Sequence, residues 1–148
     1  MSDLKIRIQE ATKDAMRARD KPRVAALRLV AADLQRVEVD ERIELDDSRV
    51  LAVLEKMLKQ RRESERLYRD ASRNDLADQE AFEIALIGEF MPEPLSSEEI
   101  DQIVRETVAA EGASSMGDMG KVMSNLRPKV QGRADMGDVS SRVRAALS

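Results

Sequence analysis

The chain has 148 residues, 36% of them charged, a formal net charge of −4, and neither cysteine nor histidine. Disulfides, thiolate chemistry and the usual acid–base shuttle and metal ligand are thereby removed, which weighs against an ordinary hydrolase or transition-metal enzyme. The length suits one domain or two small ones, and no apolar run approaches the ~18 residues of a membrane span, so a soluble cytoplasmic protein is expected.

Leu4, Ile8, Ala11 and Ala15 repeat at helical spacing and predict a first helix ending near Arg19. Asp20-Lys21-Pro22 starts a second, with Asp20 as N-cap and Val24, Leu27, Val30, Leu34 and Val37 as its stripe. Glu38 to Asp47 then carries six acids and one arginine. It lacks the ligand spacing and mid-loop glycine of a calcium loop, so a solvated helix end and turn is the better reading.

A long helix is predicted from about Asp47 to Ser72. Its apolar stripe (Val50, Leu51, Leu54, Met57, Leu58) thins after Lys59, where fifteen residues to Arg73 hold six bases and three acids. Charges at helical pair spacing favour a self-paired, water-exposed hairpin extension over an RNA-facing strip. Asn74 and Asp75 read as the cap of the next helix, which runs to about Phe90 with a broad apolar surface, its aromatics included.

Pro92 and Pro94 end that helix and place a boundary, giving an N-terminal helical domain (1–92) and a C-terminal one (93–148). Ser96-Ser-Glu-Glu99 is a capping box, and Gly112 a C-terminal cap. Ser115 and Asp135 both read as N-caps, each followed three residues later by an acid. Met116, Met119, Met123 and Leu126 share one face of a helix that Pro128 should end or kink. Val139, Val143, Ala146 and Leu147 stripe the last helix. No segment alternates with period two, so the predicted class is all-α: a long helix hairpin followed by a three-helix bundle.

Charge is unevenly spread. Residues 93–111 hold six acids against Arg105, whereas residues 112–148 hold six bases against three acids. A basic glycine corner, Lys129 to Arg133, lies between the last two helices.

Three segments, PEPLSSEEI with its preceding methionine (91–100), GASSMGDMGKVM (112–123) and PKVQGRAD (128–135), closely resemble the YqeY-like family. Lys59 to Glu80 resembles the N-terminal half of that family of small bacterial proteins. The family shares its C-terminal domain with the B subunit of the tRNA-dependent amidotransferase, where the domain is a tail that helps to hold tRNA. The resemblance implies RNA-binding candidates at Lys121, Arg127, Lys129 and Arg133, with Gly117, Gly120 and Gly132 allowing close backbone approach. Two residues depart from the pattern: Gln131 stands where a further lysine would strengthen the corner, and Asp138 sets an acid beside it.

Relatives of this kind carry a carbon–nitrogen ligase label, with glutamine as amide donor, that belongs to the complete enzyme. This chain has no Ser-Ser-Lys amidase constellation and no phosphate loop, so neither a catalytic residue, a cofactor nor a metal is assigned. A non-catalytic module for tRNA or structured RNA is expected, with a possible protein partner in the translation machinery. The alternative is a helical protein-interaction module with no RNA role, in which Met116, Met119 and Met123 line an adaptable groove rather than fill the core.

Overall fold

The computed structural model describes residues 2–148. Among them are seven α-helices, one 3₁₀ turn and no strand, the all-α class that the helical spacing predicts. The helices are α1 (Asp3–Arg17), α2 (Lys21–Glu41), α3 (Asp47–Asp70), α4 (Asn74–Gly88), α5 (Ser97–Glu111), α6 (Met119–Val130) and α7 (Met136–Leu147). Two compact units divide them: Met91 ends the first and Pro92 begins the second. No helix among the described residues is long and apolar enough to cross a membrane.

In the N-terminal unit the apolar stripes of α1 to α4 meet in one core. Ile8, Leu27, Leu34, Leu54, Met57 and Ile87 are its largest fully enclosed side chains, together with Leu45. Leu45 lies in the acidic stretch read as a solvated turn; it is 1% exposed and plugs the core between α2 and α3. Glu38 makes that possible, accepting the Leu45 N–H at 3.3 Å and the Lys5 ammonium at 2.5 Å. At the start of α3, Asp47 caps the beginning of α1 by accepting from the Ser2 hydroxyl and, at 3.1 Å, from the Leu4 N–H.

These contacts hold both carboxyls below their ordinary values, Glu38 through the hydrogen bond from Lys5 and Asp47 through that from Ser2. A carboxyl depressed in the folded state contributes stability above its unfolded value and loses it as pH falls through the folded one. The N-terminal unit is therefore expected to lose thermal midpoint as pH drops below about 4. Glu38→Gln should flatten that acid limb; an unchanged pH profile would refute the assignment.

Several ends differ from the sequence reading. α1 and α3 stop two residues early because Arg19 and Ser72 take left-handed backbone, at φ 57° and 59°. Before α4 stands Arg73, without a side-chain cap, since the Asn74 amide oxygen instead accepts from Arg69 at 3.5 Å. The aromatics also divide: Phe90 is buried, its ring facing the Arg7 guanidinium at 5.8 Å, whereas Phe82 is 40% exposed.

The C-terminal unit is a three-helix bundle around Ile100, Val104, Val122, Leu126, Val130, Val139 and Val143. Ser96 and Glu99 form the capping box on α5, and Gly112 closes it at φ 62°. Ser115 makes no capping bond; Met116–Asp118 form the 3₁₀ turn, and the Ser114 N–H binds Asp118 at 3.0 Å. α6 does not end at Arg127 but continues through Pro128 to Val130. The missing proline N–H frees the carbonyl of Ser124, an exposed residue whose oxygen water can satisfy. Met123 is in the core, Met119 packs against it, and Met116 stands 47% exposed.

Candidate nucleic-acid interface

The helical repeat sets where the tail's cations point. At about 100° per residue, Arg127 and Lys129 lie roughly 160° apart around α6, on opposite flanks of its buried stripe. Lys121 and Lys129 fall on one side, about 80° apart, facing α5. There Lys121 approaches Glu111 at 3.7 Å, and the Lys129 ammonium donates to the Thr107 hydroxyl at 3.1 Å. Thr107, 1% exposed, in turn donates to the Ile103 carbonyl at 2.8 Å. Lys129 thus completes a polar chain that lets a hydroxyl sit inside the bundle.

Arg133 follows the end of α6. Its guanidinium donates to the Glu93 carbonyl at 3.0 Å, and its own carbonyl accepts the Leu95 N–H at 2.8 Å. This double contact latches the segment before α5 onto the α6–α7 turn. The latch also brings positive charge towards Glu99, whose carboxyl is held low first by the Ser96 N–H and hydroxyl. Gly132 supplies the turn's left-handed residue, at φ 74°.

Arg127 is different. It is exposed, and its side chain makes no hydrogen bond or ion pair with any described residue. Gly120 lies two turns earlier on the same flank, where an added Cβ would meet open space. Gly117 sits in the 3₁₀ turn, where an added Cβ would lie 3.6 Å from the Ser115 hydroxyl. The predicted cations are therefore not gathered at one bend: Lys121 and Lys129 face α5, Arg133 latches the loop, and Arg127 stands alone on the far flank.

Sequence reasoning counted Arg142 and Arg144 as basic but gave them no role. Arg142 bridges Asp101 at 2.7 Å and Asp138 at 3.1 Å, fixing the rotation of α7 against α5. Arg144, two residues on, falls on the opposite flank; it is exposed and its side chain too has no described partner. Their two-residue spacing is the signal that could have separated them.

The arginines in and just after the second half of α3 are mostly paired, within the helix, across to α4 or at its start. Arg61 meets Glu83 at 3.1 Å, Arg66 meets Glu63 and Asp70, Arg69 meets Asp78 at 3.0 Å, and Arg73 meets Asp75 at 3.3 Å. Lys59 and Arg62 remain exposed. Among the described residues no three carboxylates gather as a metal site would require.

The chain is similar in sequence to known proteins over most of its length. Altered inheritance of mitochondria protein 41 from Pyrenophora tritici-repentis is 28% identical over 126 residues, covering 82% of this chain and 70% of that one. An uncharacterized protein of Schizosaccharomyces pombe is 29% identical over 90 residues, 61% of this chain and 73% of its own length. The family described as Yqey-like protein matches residues 5–147, both units included, and the chain belongs to that family.

Proposed function

We propose that this chain is a non-catalytic accessory module that holds tRNA, or another structured RNA, by its phosphate backbone. The observation that carries this reading is the charge of the last two helices. In a chain of net charge −4, α6 and α7 together hold Lys121, Arg127, Lys129, Arg142 and Arg144 against Asp138 alone. The family's kinship with the tail of the amidotransferase B subunit supports the choice of tRNA. Residues 93–148 contain no aromatic side chain, so this unit has no platform for stacking bases, and backbone and shape contacts are what it can offer.

Binding of unfractionated tRNA to the full chain, followed by fluorescence anisotropy, tests this. With two phosphates engaged by the unpartnered Arg127 and Arg144, raising salt from about 50 to 200 mM is expected to weaken binding roughly tenfold. Absent or salt-insensitive binding would overturn the reading in favour of a protein-interaction module, for which Leu29, Leu67 and Phe82 offer exposed apolar surface on the N-terminal unit. Charge reversal at Lys129 and Arg133 is a poor probe, because both hold the bundle together through Thr107 and Glu93.

A further inference from the structure

Helices α6 and α7 resemble one another in sequence at five of their twelve positions. Each has twelve residues and begins Met-Gly, and MGKVMSNLR (119–127) matches MGDVSSRVR (136–144) at Met, Gly, Val, Ser and Arg. The matched valines, Val122 and Val139, are both fully buried, and the matched arginines, Arg127 and Arg144, are both exposed and unpartnered. Only five residues join the two helices, a connection whose length suits antiparallel neighbours in a bundle.

That relation fixes which way the arginines face. Asn125 and Arg142 hold equivalent positions, and both bind α5 carboxylates, Glu111 and Asp101. Two residues further on, Arg127 and Arg144 must then both point away from α5, bordering the outer groove between α6 and α7. By the helical repeat Gly120 and Arg127 fall on that flank of α6 and Gly137 and Arg144 on that flank of α7, with Ser124 and Ser141 at its solvent edge.

We infer that this outer α6–α7 groove, with Arg127 and Arg144 as its two anchors, is the phosphodiester seat of the protein. The inference rests on the RNA reading above and relocates its contacts. Seven lysines and arginines lie between residues 93 and 148. Five are occupied: Arg105 with Gln102, Lys121 with Glu111, Lys129 with Thr107, Arg133 with Glu93, and Arg142 with Asp101 and Asp138. The two left over are the pair related by the repeat.

Few acids lie in the two helices that carry them. α6 contains none, and the one acid of α7, Asp138, belongs to Arg142. Asp135 is taken by the Gly137 N–H and Asp118 by the Ser114 N–H. Arg127 lies three residues before α6 ends and Arg144 eight after α7 begins, an offset of five residues or roughly 8 Å along the groove. Planar guanidinium forks match phosphate oxygens in pairs, and the glycines and serines beside them let a backbone approach and accept hydroxyl donors.

The test uses the isotope-labelled full chain titrated with sodium polyphosphate and, separately, with unfractionated tRNA. Both probes are expected to shift backbone amides of Gly120–Arg127 and Gly137–Arg144. Arg127→Gln with Arg144→Gln should weaken polyphosphate binding about tenfold or more and reduce the log–log salt slope for tRNA by roughly 1.8. The melting temperature should not move, because neither side chain has a folded-state partner. Lys121→Gln should leave affinity within about twofold.

Shifts centred on Lys59 and Arg62, no shifts with either probe, or wild-type affinity in the double variant would each overturn the seat. Polyphosphate bound in the groove without tRNA binding would sustain the seat and sink the tRNA reading. Strong tRNA binding that ignores both arginines would do the reverse.

Discussion

Leu126→Ala is expected to unfold the C-terminal unit while leaving the N-terminal unit intact. Leu126 is fully buried at the centre of the three-helix core, and removing such a side chain costs about 3 kcal/mol. A unit running from Pro92 to Ser148 has little reserve, since cores of this size supply only about 3–5 kcal/mol. The N-terminal core shares none of these residues, because its cluster ends at Phe90. Amide exchange should therefore show protection lost across α5 to α7 and kept across α1 to α4. Equal loss in both units would mean that the chain folds as one cooperative body. If the tail carries the RNA contacts, the same variant should also lose tRNA binding.

Arg61→Met should be the most damaging charge removal in the N-terminal unit. The Arg61 and Glu83 side chains are only 18% and 12% exposed, and together they close the junction of α2, α3 and α4. Taking away one partner strands the other's charge in a poorly hydrated place, a loss of about 3 kcal/mol. Glu80 adds to the strain: burial already pushes its carboxyl above the ordinary range, the Glu83 charge pushes it further, and Arg61 opposes both. The deficit should shrink on acidification, as the Glu80 carboxyl, already held high by burial, takes up a proton and stops repelling the stranded Glu83 charge. Replacing Arg61 and Glu83 together by methionine should recover most of the midpoint, since a well-packed apolar pair substitutes for a buried ion pair at little cost. A single Arg61→Met variant as stable as the parent would show that the pair is a surface ornament of the hairpin.

The contrast between the two halves explains how little of the surface charge is free. Along α3 Arg66 meets Glu63 and Asp70, and Arg69 meets Glu65, three or four residues away on the same helix, so sequence spacing reveals those pairs, whereas Arg61 and Arg69 also reach Glu83 and Asp78 on α4. In the tail the partners are distant in sequence: Arg142 reaches Asp101, and Arg133 reaches Glu93. The family resemblance put four cations forward as RNA contacts there, because nothing local marks Lys129 and Arg133 as structural. The repeat of Arg127 in Arg144 acquires meaning only once α6 and α7 are laid side by side.

What the sequence determined by itself was whatever depends on neighbours within a turn or two. The periodic stripes located the helices, Ser96 and Glu99 the start of α5, Gly112 its end, and the proline pair the break after α4. Tertiary structure decided which polar groups are consumed and which are left. Leu45 is core because Glu38 and Lys5 close over its loop, Phe82 is surface because no helix covers that flank of α4, and Pro128 stays helical because bundle packing holds its turn. Those outcomes depend on the angle at which one helix faces another, and a linear pattern fixes each helix's stripe without fixing what lies across from its edges.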